Sequence, residues 1–487
     1  VSPDALVFAI VIIYMSVLLV LGFVASRRKS SPEEFFLAGR SLGAWVTAIS
    51  STASSESGWV VLGAVGMAYV GGVSALWFAP GCLFGYWLNL YVVAPRLRRK
   101  AKETGALTIP DFLVDRLGDP LHVLRIAATV VIFLSLGGYV AAQMTATGKA
   151  MEAILGIPYQ YGVWAGGSII VIYTLIGGFR AVCWTDLLQG LIMVGALVVM
   201  PVLVIVKVGG YAAMLHGLAA VDQNLILLSG GKSGFALFGL ISGLCGIGLG
   251  YPGQPHVLTR YMAAAGEEKI RRIQVIAMVW GTMVFFGAGF LGLAGRLLMP
   301  SLKDPEQLFP MLARRMLPPW LAGIMLAAIL SAIMSTVSSQ LLVAASSISR
   351  DLFEKVFGFA KSRRASVIAG RVSVLILGIA AMVVAVQDIR MVFWFVLFAW
   401  SGLGAAFGPI ILLSLTTNLL TRRGAIAAIV TGFLVTVIWK ETGLSQSVVY
   451  ELVPAFFLSG AAAVLIGLFD GSGRTEKYGT VNSGVER

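Results

Sequence analysis

Five hydroxyl side chains fall within one short apolar stretch of this chain: Ser331, Ser335, Thr336, Ser338 and Ser339. The stretch runs from about Leu317 to Ser349, long enough to cross a bilayer as a helix. Residues three and four apart share a helix face, so Ser335, Ser338 and Ser339 align, with Ala332 and Thr336 beside them. Hydroxyl oxygens next to small residues suit a small hard cation stripped of water. The same composition also serves close packing between membrane helices, and spacing alone leaves both readings open.

Two further stretches carry polar groups at membrane depth. One reads Ser50-Ser51-Thr52-Ala53-Ser54-Ser55-Glu56-Ser57-Gly58-Trp59. A carboxylate there is costly unless it faces protein, water or an ion. The other reads Gly246-Ile247-Gly248-Leu249-Gly250-Tyr251-Pro252-Gly253-Gln254-Pro255-His256, whose glycines and prolines cannot sustain a regular helix. Broken backbone at depth is tolerated where it lines a cavity. A third acid, Asp186, follows Gly177-Gly178. It either caps the helix that begins there or supplies a carboxylate to Ser338 and Ser339.

The elements that must position these groups are membrane spans. Of 487 residues, 58% are hydrophobic and 12% charged, a composition foreign to soluble domains of this size. Thirteen apolar segments of spanning length are expected, at roughly 4–26, 44–72, 74–95, 121–148, 159–179, 182–207, 234–262, 273–297, 317–350, 367–387, 391–418, 424–440 and 450–469. The first is followed by Arg27-Arg28-Lys29 and reads as a retained span. The net charge of +13 does not indicate nucleic acid, because Lys and Arg gather in alternate loops. Those loops hold Arg40, Arg96 to Lys102, Arg180, Arg260 to Arg272, Arg350 to Arg364, and Arg422 with Arg423. The bias predicts an external N-terminus and a cytoplasmic C-terminus in a multi-pass plasma (inner) membrane protein. Lys149, Lys207, Lys232, Lys303, Arg314 and Arg315 are exceptions on the other side. Cys82, Cys183 and Cys245 form neither a disulfide framework nor a zinc spacing.

The two interrupted spans are the second and the seventh. Paired interruptions in corresponding positions of two halves point to a transporter site at their interface. Five spans separate them, and an odd offset inverts one half against the other. This is the leucine-transporter architecture: an all-α fold with a first span and loop (1–40), repeats at 41–207 and 208–418, two further spans (419–469) and a polar tail (470–487) expected to be disordered.

Several segments then resemble the sodium:solute symporter family, and within it the bacterial sodium/proline symporters. They are Leu37 to Gly43, Ser57-Gly58-Trp59, Gly177-Gly178-Phe179 with Trp184-Thr185-Asp186, Gly248 to Tyr251, Gly253-Gln254-Pro255-His256, Met334-Ser335-Thr336 with Gln340 to Val343, and Gly404 to Pro409. The resemblance implies sodium as coupling ion, held by the carbonyls of Ala53, Glu56 and Ala332 and the hydroxyls of Ser335 and Thr336. It implies a second sodium at Asp186, Ser335, Ser338 and Ser339. The substrate is expected beside the breaks, near Ser57, Trp59, Ile247, Tyr251, Gln254 and Pro255. Tyr139 and Gln143, four apart in the fourth span, either reach that cavity or pack in the bundle. Arg40 matches a position tied to coupling, although a plain cytoplasmic anchor explains it as well.

The chain departs from the proline symporters at three positions. It has Ser55 where they place an aspartate, Glu56 where they place an apolar residue, and Ile247 where they carry a tryptophan. The displaced carboxylate either contacts sodium or takes a proton. Losing an indole at 247 enlarges the pocket and removes a donor. The expected function is sodium-driven import of a small amino acid, proline first, by alternating access, with sodium, amino acid and lipid as partners. A proton- or sodium-coupled carrier of another small amino acid or carboxylate, and a transporter-like membrane sensor, are the alternatives. No catalytic constellation is visible.

Overall fold

The computed structural model describes residues 3–25, 31–359, 362–387 and 392–470. Arg27, Arg28, Lys29, Lys361 and the expected disordered tail from Gly471 lie outside these residues. Among the described residues the chain forms helices and no strand, with one isolated backbone bridge between Leu42 and Ala264.

Among the described residues, eleven helical stretches are long and apolar enough to cross a membrane. Two of them turn back at a glycine. Within Trp59–Thr104 the turn is at Gly72 (φ 64°), and within Tyr159–Lys207 it is at Gly178 (φ 61°, ψ −170°). Both conformations favour a residue without Cβ. Counting each stretch as two passes gives the expected thirteen.

We label the helices α1 Pro3–Ala25, α2 Ala44–Ser55, α3 Phe78–Trp87, α4 Ile109–Leu117, α5 Val123–Leu155, α6 Tyr159–Lys207, α7 Gly234–Gly246 and α8 Pro255–Met262. They continue as α9 Ile270–Leu298, α10 Pro319–Ser346, α11 Arg363–Val386, α12 Val392–Thr416, α13 Arg422–Glu441 and α14 Leu452–Phe469. The second and seventh spans are broken where the polar runs predict. α2 ends at Ser55, Glu56 leaves the helix (φ −99°, ψ 86°), and a wide turn restarts at Trp59. α7 passes into a tight turn over Ile247–Gly253, Gln254 is extended, and Pro255 opens α8 as its first helical residue.

α10 is central. Every residue from Met325 to Ser347 is buried, the hydroxyl ladder included. The unwound turn 247–253 lies between α3 and α12 at backbone contact distance. A Cβ on Gly248 would fall 1.9 Å from the Gly81 carbonyl, and one on Gly253 2.6 Å from that of Leu403. Small residues thus let three chains meet at the break.

The basic loops converge at one end of the bundle. Arg40 pairs with Glu33 (3.1 Å) and donates to the carbonyls of Ala106 (2.7 Å) and Met262 (3.3 Å). Arg180 pairs with Glu34. Asp111 receives Arg125 (2.6 Å) and Arg350 (2.7 Å), and Arg125 also meets Asp351. Burial pushes the Asp111 carboxyl up, but the two guanidiniums outweigh it and hold it below its ordinary value. At the opposite end Lys149, one of the expected exceptions, is neutralised by Glu306 (2.6 Å) and Asp304 (3.1 Å).

Candidate functional site

The hydroxyl ladder of α10 meets the end of α2. Ser335 Oγ donates to the carbonyl of Ala53 (2.9 Å) and lies 3.2 Å from that of Ala332. Thr336 Oγ1 donates to the Ala332 carbonyl (3.2 Å). Ala53, Glu56, Ala332, Ser335 and Thr336 are all fully buried. α2 stops at this level, so its last carbonyls lack helical partners; that of Ala53 meets α10, and that of Ser55 accepts the Trp59 indole. Tyr173 fixes the register from α6, its hydroxyl donating to the Met334 carbonyl (2.8 Å). The cluster therefore consists of hard, neutral oxygens.

The second set comes together around a residue that counting charges by loop puts elsewhere. Arg260 is fully buried in α8, not placed in a basic loop. α8 restarts at Pro255, so Arg260 stands only about 7.5 Å along the helix from the break. Its Nη2 lies 3.0 Å from Asp186 Oδ2 and against Ser339 Oγ, and its Nε donates to Ser50 Oγ (2.9 Å). Ser50 in turn donates to Asp186 Oδ2 (2.6 Å). Asp186 is thus an ion-pair partner rather than a helix cap. Ser338 and Ser339 donate within α10 to the Ser335 carbonyl, at 3.2 and 2.6 Å. Asp186 and Ser339 meet as expected, but through a guanidinium.

The expected substrate residues surround the two breaks. Ser57 Oγ lies 3.2 Å from the Tyr139 hydroxyl, and Gln143 Oε1 accepts from the Gly58 amide (2.9 Å). Tyr139 and Gln143 therefore both reach the break. Trp59 turns back along its own chain, its indole donating to the Ser55 carbonyl (3.2 Å) and its ring edge-on to Phe78 at 6.1 Å. The Tyr251 hydroxyl donates to Glu56 Oε1 (2.6 Å), so the two interruptions touch through these side chains. Gln254 Nε2 donates to the carbonyls of Gly250 (3.2 Å) and Trp400 (3.1 Å).

Four residues at the site are absent from the sequence expectation. Besides Arg260, Tyr86 of α3 donates to Glu56 Oε1 (3.0 Å) and packs edge-on to Tyr251 at 4.9 Å. Asn89, one turn on, donates to the Tyr251 carbonyl (3.0 Å). Trp400 of α12 packs edge-on to Tyr251 at 4.8 Å and donates its indole N–H to the Ile247 carbonyl (3.1 Å). An indole donor is thus present beside Ile247, supplied by the eleventh span. Tyr86 and Asn89 are spaced three apart on a face that includes Gly85, a signal visible in hindsight.

On the α7 side of Ile247 lies a cavity of about 330 Å³, lined by α7 residues between Ala236 and Leu244, by Leu397 and by the loop Ser445–Tyr450.

The model of the Sodium:solute symporter family matches residues 35–432. The sodium/proline symporter of Salmonella typhimurium is 38% identical over 94% of this chain and 91% of its own length. The high-affinity proline transporter of Bacillus subtilis is 38% identical, over 93% of this chain and 94% of its own. Among solved structures, a sodium-coupled sialic acid symporter in a substrate-bound outward-open state aligns with a TM-score of 0.80 at 18% identity, covering 95% of this chain and 98% of that one. The fold is thus the leucine-transporter type inferred from the paired breaks.

Proposed function

The chain belongs to the sodium:solute symporter family, and we propose that the solute it carries with sodium is proline. It is a multi-pass membrane protein and a sodium-coupled symporter. The observation that carries the choice of proline is its 38% identity, over nearly the whole chain, to symporters of that amino acid.

Sodium is cargo here. Its ligands are the carbonyls of Ala53, Glu56 and Ala332 and the hydroxyls of Ser335 and Thr336. In support, the Ser335 and Thr336 hydroxyls already lie within hydrogen-bond reach of the carbonyls of Ala53 and Ala332. Binding a cation requires only that these hydroxyls rotate and present lone pairs. Neutral oxygens hold sodium weakly enough to release it, and the bound ion ties α2 to α10. Proline then enters beside Ser57, Tyr139, Tyr251 and Gln254, reached from the cavity on the α7 side of Ile247. Inward charge movement is favoured by about 2.3 kcal/mol per elementary charge at 100 mV.

Arg260 supplies the positive charge at Asp186 and Ser339, and one sodium accompanies each substrate. The same cluster joins α2, α6, α8 and α10, and parting it opens the route to the cytoplasm. Arg40 couples that movement to the first loop, through its bonds to the Ala106 and Met262 carbonyls. The N-terminus is outside and the C-terminus cytoplasmic, in keeping with the basic end of the bundle. The repeats span 41–207 and 208–418. No covalent step is involved.

The test is uptake of labelled proline into proteoliposomes under an inward sodium gradient, against a matched choline gradient. Accumulation with sodium alone is expected; equal uptake in choline would reject sodium coupling, and uptake in neither would reject proline.

A further inference from the structure

Glu56 is where this chain differs from the proline symporters it resembles, and its side chain is held in an unusual way. It is fully buried at the break of the second span. Oε1 accepts the hydroxyls of Tyr251 (2.6 Å) and Tyr86 (3.0 Å), with Ser55 Oγ at 3.1 Å. Oε2 is buried and has no hydrogen-bond partner among the described residues. No Lys, Arg or His pairs with Glu56 among the described residues, whereas the buried cations Arg260 and Lys149 each have their own carboxylate. Phenol donors from two different elements thus orient the carboxylate and leave its second oxygen bare. A buried carboxylate costs several kcal/mol unless it is paired and hydrogen-bonded. The donors on Oε1 offset part of that cost, and the remainder is met either by a proton on the carboxyl or by a positive charge at Oε2. Tyr251, whose hydroxyl reaches Oε1, stands edge-on to Tyr86 and to Trp400, at 4.9 and 4.8 Å, and aromatic faces also favour a cation.

We propose that Glu56 Oε2 is the counter-ion for the ammonium of the transported amino acid, making Glu56 the residue that selects a substrate with a cationic nitrogen. This rests on the amino-acid reading above and deepens it. Tyr86 and Tyr251 are positioning residues, since they hold Glu56 and fix which oxygen faces the ligand. A ring acid of the same shape without a cationic nitrogen, tetrahydrofuran-2-carboxylate, is excluded because it would leave Oε2 unpaired. Sites built around a hydrogen-bonding group discriminate strongly against ligands that lack it.

The test is equilibrium binding of labelled proline to the purified full chain in sodium, with competition by unlabelled proline and by tetrahydrofuran-2-carboxylate. In the wild type the ether is expected to compete at least ~100-fold more weakly. Glu56→Gln should weaken proline binding by about 10- to 150-fold, the range for a hydrogen bond to a charged group, and bring the two ligands close to parity. Glu56→Asp, which keeps the charge, should retain the preference for proline. Sodium-dependent thermal stabilisation without substrate should persist in Glu56→Gln, because the substitution keeps the main-chain carbonyl of residue 56 that is assigned to sodium, and this reports an intact fold and ion site. An ether that binds wild type as well as proline overturns the proposal without any variant. So does Glu56→Gln that keeps proline affinity and selectivity within roughly 3-fold. A wild type that binds no amino acid in sodium overturns the amino-acid reading and this proposal together, and is distinct from proline binding indifferent to Glu56.

Discussion

Arg260 Nη2 lies 3.0 Å from Asp186 Oδ2, and neither side chain has any exposed surface. Removing one partner of such a pair leaves an uncompensated buried charge, at a cost of about 3–5 kcal/mol. Arg260→Gln and Asp186→Asn alone should each lower thermal stability and sodium-driven uptake sharply. The double variant should be more stable than the sum of the two losses implies. A double-mutant cycle on purified protein reads this, and additive losses would show that the two side chains act apart.

Sodium dependence should be first order. A guanidinium already stands where Asp186 and Ser339 would meet a second ion, so the Hill slope for sodium in proline uptake should be near one. A slope approaching two in the wild type would refute the one-ion assignment.

Ser335→Ala removes one proposed sodium ligand while deleting only a hydroxyl. The half-saturating sodium concentration should rise by roughly 10-fold or more, in line with about 1.5–3 kcal/mol for a polar contact to a charge. Maximal uptake at saturating sodium should survive. Unchanged sodium affinity would remove Ser335 from the site.

Gly253→Ala tests the packing of the unwound turn. The new Cβ would fall 2.6 Å from the Leu403 carbonyl, a backbone atom that cannot swing away. Loss of a monodisperse protein in detergent is expected, whereas Gly443→Ser, with open space around its Cα, should keep its fold with at most a mild loss at φ 74°.

Asp111 gives the basic end an acid limit. Its folded value lies below the ordinary one, so its contribution is complete above the unfolded carboxyl range near pH 4. That contribution is lost as pH falls through the lower folded value. Thermal unfolding between pH 7 and pH 3 should therefore show a loss of stability on the acid side. Asp111→Asn should be less stable at pH 7, by about 3 kcal/mol, with a shallower acid slope.

Much of this site is legible in residue types and spacing. The hydroxyls of α10 and the polar run ending at Glu56 advertise themselves because polar groups are rare at membrane depth. The glycines and prolines from Gly246 to Pro255 mark the second break for the same backbone reasons that form it. Arg260 was hidden because loop-wise counting of basic residues assigns it to the nearest basic loop. Only the restart of a helix at Pro255 shows that it is still inside. Trp400 was hidden differently. It sits among small residues that signal packing, and its partners Ile247, Gly250 and Tyr251 are some 150 residues earlier, beyond any local periodicity. Tyr86 and Glu56 are likewise joined only by tertiary folding.

The first loop is stitched to the C-terminal end of α8, the second half of the broken seventh span. Leu42 exchanges backbone hydrogen bonds with Ala263 and Ala265 at 3.1 and 2.9 Å, and Arg40 reaches the Met262 carbonyl. Gly39 and Ser41 beside it are exposed. A nanobody raised against this loop would therefore bear on the end of α8 through Leu42 and Arg40. If parting of the Arg260 cluster opens the inner route, such a binder is expected to slow uptake from the basic face without competing with substrate or entering the bilayer, and unchanged uptake with the nanobody bound would show that this loop is not carried along.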